Sequence, residues 1–101
     1  MAIAYVQEFK IVDDDRTTEG YDAVAARLGD APIPGLILHT AGFDEDGGVF
    51  RIFDIWESKE AAVSFQEETL GPILGEVIGS REDAPAPPSR DGFYELHDLL
   101  P

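Results

Sequence analysis

The stretch Gly35-Leu-Ile-Leu-His-Thr-Ala-Gly-Phe-Asp-Glu-Asp-Gly-Gly-Val-Phe-Arg-Ile-Phe-Asp-Ile-Trp-Glu-Ser-Lys-Glu60 reads as strand, turn, strand and helix start in unbroken succession. Asp46-Gly47 between two apolar runs predicts a two-residue type I′ hairpin turn, in which both residues take positive φ. With that pair at the tip, Phe43 faces Phe50, Ala41 faces Ile52, His39 faces Asp54 and Ile37 faces Trp56. Strand parity then places a histidine, a carboxylate and a tryptophan on one otherwise apolar face.

Outward from this hairpin, Ala2 to Ile11 alternates as a half-buried strand, with Ile3, Tyr5, Gln7 and Phe9 on one side and Ala4, Val6 and Glu8 on the other. After a polar connector, Thr17 or Thr18 can cap a helix that carries Tyr21, Val24, Ala25 and Leu28 at helical spacing and stops at Gly29. Beyond Trp56, Ser58 is the N-cap candidate of a second helix, with Glu60 near its positive dipole end. That helix bears an apolar stripe of Ala61, Ala62, Phe65, Ile73, Leu74, Val77 and Ile78. Gly71-Pro72 interrupts it, predicting a kink or a new segment with Pro72 at its first position. Ser80 to Asp91 reads as a loop and Phe93 to Leu100 as a closing strand.

The order is βαββαβ over a single domain, residues 1–101. Two right-handed crossovers give an α+β ferredoxin-like fold with an antiparallel sheet in the order 4-1-3-2 and both helices on one face. The other face would be left bare yet apolar. A second copy packed sheet to sheet is the expected cover, making a homodimer.

The 101 residues include 28% charged and 44% hydrophobic side chains, the composition of an ordinary soluble globular protein. The absence of cysteine excludes disulfides and thiolate chemistry. No apolar run approaches the roughly 20 residues of a membrane span, and Met1-Ala-Ile-Ala-Tyr5 lacks the basic start of a signal peptide, so a cytoplasmic location is expected. The net charge of −14 argues against nucleic acid and anionic membranes as partners. It reads as a solvated acidic surface, the alternative being a basic partner or cationic substrate.

In its element order and in the segment Asp54-Ile-Trp56-Glu57-Ser58-Lys59-Glu60-Ala61, the chain resembles the dimeric α/β-barrel superfamily, more narrowly the antibiotic-biosynthesis-monooxygenase-like group. A strand ending in Trp-x-Ser and entering a helix with an acidic-Ala start is typical of that group. It is also similar to small actinobacterial proteins of unassigned function in Gly35-Leu-Ile-x-His39-x-Ala-Gly42 and in His97-x-Leu-Leu. The resemblance implies a dimeric α/β barrel. Relatives include cofactor-free monooxygenases, haem-degrading enzymes and aromatic cyclases. Haem degradation is set aside: where such relatives place an Asn, a Trp and a His, this chain has Gln7, Phe65 and Gly75, none able to ligate iron. Cofactor-free monooxygenases hold phenolic substrates with Trp, Asn and Arg. This chain has no Asn and offers only Trp56 and Arg51 on its interior strands.

His39 and Asp54 are the catalytic candidates. A carboxylate that orients the imidazole and raises its basicity makes a general base for a phenolic or α-carbonyl proton. The same residues could equally form a cross-strand polar pair without chemistry. Tyr5, Gln7, Trp56 and Phe65 are the substrate-binding candidates. Trp56 could stack on an aromatic ligand or simply be core; Tyr5 could donate to a developing oxyanion or stand as a wall. A small, mostly apolar pocket between sheet and helices would be lined by Tyr5, Gln7, His39, Asp54 and Trp56. Tyr5 and Gln7 join the pocket if the Ile3–Phe9 face points away from the helices, the orientation chosen because the small Ala4 and Val6 suit close helix packing on the other face. His97 on the last strand reads as a dimer or surface residue, and Arg51 as a salt-bridge partner of Glu60 or Glu67. No metal pattern or phosphate loop is present, so no metal or cofactor is expected. The expected ligand is a small aromatic or polyketide-like molecule. Two readings stay open: a cofactor-independent monooxygenase-like or cyclase/isomerase-like enzyme, and a non-catalytic ligand-binding or structural homodimer.

Overall fold

The computed structural model describes residues 2–13, 16–77 and 88–100. Strand β1 (Ile3–Lys10) leads to helix α1 (Glu19–Leu28), the hairpin β2 (Leu36–Asp44) and β3 (Val49–Trp56), helix α2 (Lys59–Phe65), a π-helical turn, helix α3 (Gly71–Val77) and β4 (Arg90–Glu95). The sheet is antiparallel throughout and ordered β2-β3-β1-β4, the expected ferredoxin-like arrangement.

The hairpin keeps its predicted register by a different turn. Phe43 pairs with Phe50, Ala41 with Ile52 and His39 with Asp54, but the last ladder pair is Asp44 with Val49. Glu45 to Gly48 therefore form a four-residue connection, and Gly48, not Asp46 or Gly47, takes positive φ. Asp44 shapes the turn by accepting the Gly47 N–H at 2.9 Å. Two-residue and four-residue loops centred on the same point give the same pairing, which is why the register survives.

At the other end of β2 the register does change. A bulge between Leu36 and Leu38 sets Leu36, not Ile37, opposite Trp56, and Ile37 is left exposed. The bulge absorbs one extra residue where the chain enters from Gly35. Gly35 has φ 83°, and a Cβ there would lie 2.5 Å from that of Ala61. Its carbonyl also accepts the Glu57 N–H at 2.7 Å, tying the start of β2 to the end of β3.

The helices pack on the face that carries Ile3, Tyr5 and Trp56. Tyr5, Trp56 and Ala62 form the core cluster, with Ile3, Ile33, Leu36, Ala61, Phe65 and Phe93 against it. This settles the orientation against the expectation that Ala4 and Val6 would meet the helices. Small residues do supply the close approach, but they are Ala61 and Ala62 on the helix, leaving room for large side chains on the sheet. The opposite face bears one cross-strand row, Leu38, Ile55, Ala4 and Tyr94. Its central members are buried, while Leu38 and Tyr94 at the edges are 46% and 45% exposed.

Ser58 caps α2 as expected, its hydroxyl accepting the Ala61 N–H at 3.1 Å. Thr18 occupies the N-cap position of α1, but its hydroxyl donates to the Asp22 carboxylate and not to the backbone ladder. Ala25, expected on the packed stripe of α1, is exposed. Pro72 is accommodated by the widened turn before it: Gly71 N–H bonds Gln66 C=O, five residues back, so the ladder shifts register ahead of the residue with no N–H to give. Arg51 bonds Glu8 at 2.7 Å and Asp44 at 2.9 Å, not a helix acid, because its face of the sheet is the one without helices. The last strand begins and ends earlier than predicted, so Arg90 and Asp91 are strand residues and His97 lies beyond β4, exposed. Ile78 and residues 80–87 of the predicted loop lie outside the described residues. No helix among the described residues is long and apolar enough to cross a membrane.

Candidate active site

One row across the helix-covered face runs His39, Asp54, Tyr5, Phe93 through all four strands. Opposed positions in a ladder bring side chains within reach. His39 and Asp54 close to 2.5 Å between Nδ1 and Oδ1. Asp54 is nearly buried, whereas His39, on edge strand β2, keeps 40% of its side chain exposed. A carboxylate can only accept, so Nδ1 carries the proton between them. The Asp54 hydrogen bond, and then its charge, hold the imidazole above the ordinary histidine value against the opposing effect of burial.

The second imidazole nitrogen has a partner that the sequence did not point to. Tyr21 Oη lies 2.6 Å from His39 Nε2, with the two rings nearly parallel at 6° and their centroids 6.2 Å apart. Tyr21 also stands edge-on to Phe50 at 5.6 Å. In the neutral imidazole, Nε2 accepts the Tyr21 O–H; in the imidazolium the donor role reverses. Burial, then the charges of Asp54 and Asp22, raise the Tyr21 phenol above the ordinary tyrosine value, so it stays neutral. The one signal for this residue was its place on the apolar stripe of α1. A tyrosine there brings a hydroxyl onto the sheet, but spacing alone does not say which strand residue it meets.

His39 opens on a cleft of about 580 Å³ whose walls include Tyr21, Asp22, Phe43 and Phe50. Phe43 and Phe50 make an edge-to-face pair at 4.9 Å. Asp54 stands behind His39 and does not line the cleft.

The other candidates sit deeper, under α2. Trp56 is 2% exposed, with its ring 5.5 Å from that of Phe65 and its Nε1 without a hydrogen-bond partner among the described residues. Tyr5 is 8% exposed, packs on Phe93 at 4.6 Å and donates to Asp91 at 2.5 Å. Burial, the hydrogen bond to Asp91 and the nearby carboxylates hold the Tyr5 proton far above the ordinary tyrosine range, with Gln66 opposing. Gln7 follows on the same face, opposite Ile52 and Asp91. The sheet thus brings His39 and Asp54 into direct contact and sets Tyr5, Trp56 and Phe65 together in the core beside them.

No protein-family model and no curated protein sequence matches this chain. Solved structures match it in shape over almost its whole length. A Chloroflexus aurantiacus protein assigned to the antibiotic biosynthesis monooxygenases superposes with a TM-score of 0.64 at 16% identity, covering 100% of this chain and 98% of its own. The fold is that of the antibiotic biosynthesis monooxygenases. The same monooxygenase fold occurs in a mutant of SnoaB, a cofactor-independent oxygenase from Streptomyces nogalater, with TM-score 0.62, 16% identity and coverage of 99% and 97%. It occurs again in the ActVA-Orf6 monooxygenase of Streptomyces coelicolor, in complex with nanaomycin D, with TM-score 0.60, 23% identity and coverage of 99% and 91%. At these identities the likeness to the monooxygenases is one of fold, and the site residues are this chain's own.

Proposed function

We propose that this protein is a cofactor-independent enzyme that removes a proton from a small aromatic or polyketide-like substrate, with His39 as the base and Asp54 orienting it. The observation that carries this reading is the His39–Asp54 pair at 2.5 Å, with the far side of the imidazole at an aromatic-walled cleft. A phenolic or α-carbonyl proton taken by Nε2 leaves an imidazolium whose charge the buried Asp54 offsets. The resulting substrate anion is the species that meets dioxygen in an oxygenation, or closes or shifts a bond in a cyclisation or isomerisation. Support for the class comes from fold neighbours described as a cofactor-independent oxygenase and as a monooxygenase holding nanaomycin D. A homodimer through the face bearing Leu38 and Tyr94 belongs to the proposal, since apolar side chains at both edges favour a second copy as cover.

A second reading has one observation in its favour. Tyr21 and Asp54 together satisfy both imidazole nitrogens, as expected of a structural histidine in a ligand-binding or purely structural dimer. Turnover separates the two. Phenolic and polyketide-type aromatic compounds incubated in air, with products followed by mass spectrometry, should be converted by the wild type. His39→Gln should lose about 100-fold or more, the usual contribution of a general base. Equal rates for the two proteins, or no conversion by either, would favour the second reading.

A further inference from the structure

A base whose lone pair is already capped cannot take a substrate proton until the cap leaves. Asp54 holds Nδ1, so the only lone pair that the neutral His39 ring can offer is on Nε2, and the Tyr21 hydroxyl occupies it at 2.6 Å. The capping group is itself a phenol. Its ring lies parallel to His39 at 6°, meets the edge of Phe50 at 5.6 Å and forms one wall of the cleft. These surroundings already accommodate a hydroxyarene, the one attached to α1.

We propose that Tyr21 is a built-in stand-in for the ligand: the site takes planar hydroxyarenes, whose O–H replaces that of Tyr21 on His39 Nε2 as the Tyr21 side chain is displaced. This rests on the functional reading above and sharpens its substrate class. Displacement fits better than a relay through Tyr21, because burial and the carboxylates of Asp54 and Asp22 disfavour the tyrosinate. The way α1 is held also permits it. The helix buries no residue completely, and its ion pair to α3, Arg27 with Glu76, lies nearly two turns from Tyr21.

The test is an NMR titration of 1-naphthol into wild type and Tyr21→Phe, with 1-methoxynaphthalene as the analogue that has no O–H to give. Phenylalanine keeps the ring and its packing but frees Nε2. The expected result is that 1-naphthol moves the Tyr21 and His39 signals of the wild type. Tyr21→Phe should bind it about two- to tenfold more tightly, the range of one net hydrogen bond, with no such gain for the methoxy analogue. Binding to wild type alone, equal or weaker binding by Tyr21→Phe, or the same gain for the methoxy analogue would overturn the stand-in role and make Tyr21 a plain wall of the site. If neither protein binds 1-naphthol, the functional reading falls and the inference with it.

Discussion

An imidazole held between a carboxylate and a phenol keeps its protons in a way that depends on pH. Asp54 favours the charged ring, so the folded-state pKa of His39 stands above that of the unfolded chain. A raised histidine pKa contributes stability that is complete below the unfolded value, near about 6.5, and is lost as pH rises through the folded value. Urea unfolding should therefore show the advantage of wild type over Asp54→Asn at its largest between about pH 4.5 and 6, shrinking toward pH 9. An advantage that is constant or grows over that range would contradict the coupling. The His39–Asp54 contact was legible in the sequence because ladder register is a matter of counting. The Tyr21 contact was not, since it joins a helix to an edge strand and depends on packing that no spacing encodes.

Among the elements, the hairpin shows what a local signal determines. Asp46-Gly47 marked the centre of the turn but not its length: the Asp44 side chain bonding Gly47, together with Gly48 at φ 67°, favoured four residues over two. The Leu36–Leu38 bulge left no trace in the alternation, because Leu36, Ile37 and Leu38 are all apolar and any of them could face Trp56. The close approach that accompanies it rests on Gly35. Alanine there would be strained at φ 83° and would collide with Ala61. Gly35→Ala should cost about 1–3 kcal/mol in denaturant unfolding. Gly42→Ala, with nothing among the described residues within 4 Å of its added methyl, serves as the control with a smaller loss. Equal losses at the two positions would mean that the packing of β2 against α2 is looser than described.

For the whole molecule, strand order and helix placement followed from βαββαβ alone, since right-handed crossovers leave few alternatives. Which sheet face takes the helices was harder to read. Complementarity requires one small partner, and the sequence offers small residues on both sides, Ala4 and Val6 on β1 and Ala61 and Ala62 on α2. The net charge of −14 acts at this scale too. Mutual repulsion opposes the compact state and is screened over about 10 Å at 0.1 M salt. The melting temperature should therefore rise between about 0.02 and 0.5 M sodium chloride, whereas a flat or falling profile would show that paired charges, such as those around Arg51, outweigh the repulsion.

All of the proposed chemistry depends on Asp54 controlling the proton on His39. The most direct measurement is an NMR titration of the His39 imidazole in wild type and Asp54→Asn. The expected result is a His39 pKa above the ordinary histidine value in the wild type, falling on the substitution. A His39 that fails to titrate, or titrates identically in both proteins, would contradict the base assignment and leave His39 and Asp54 as a structural pair.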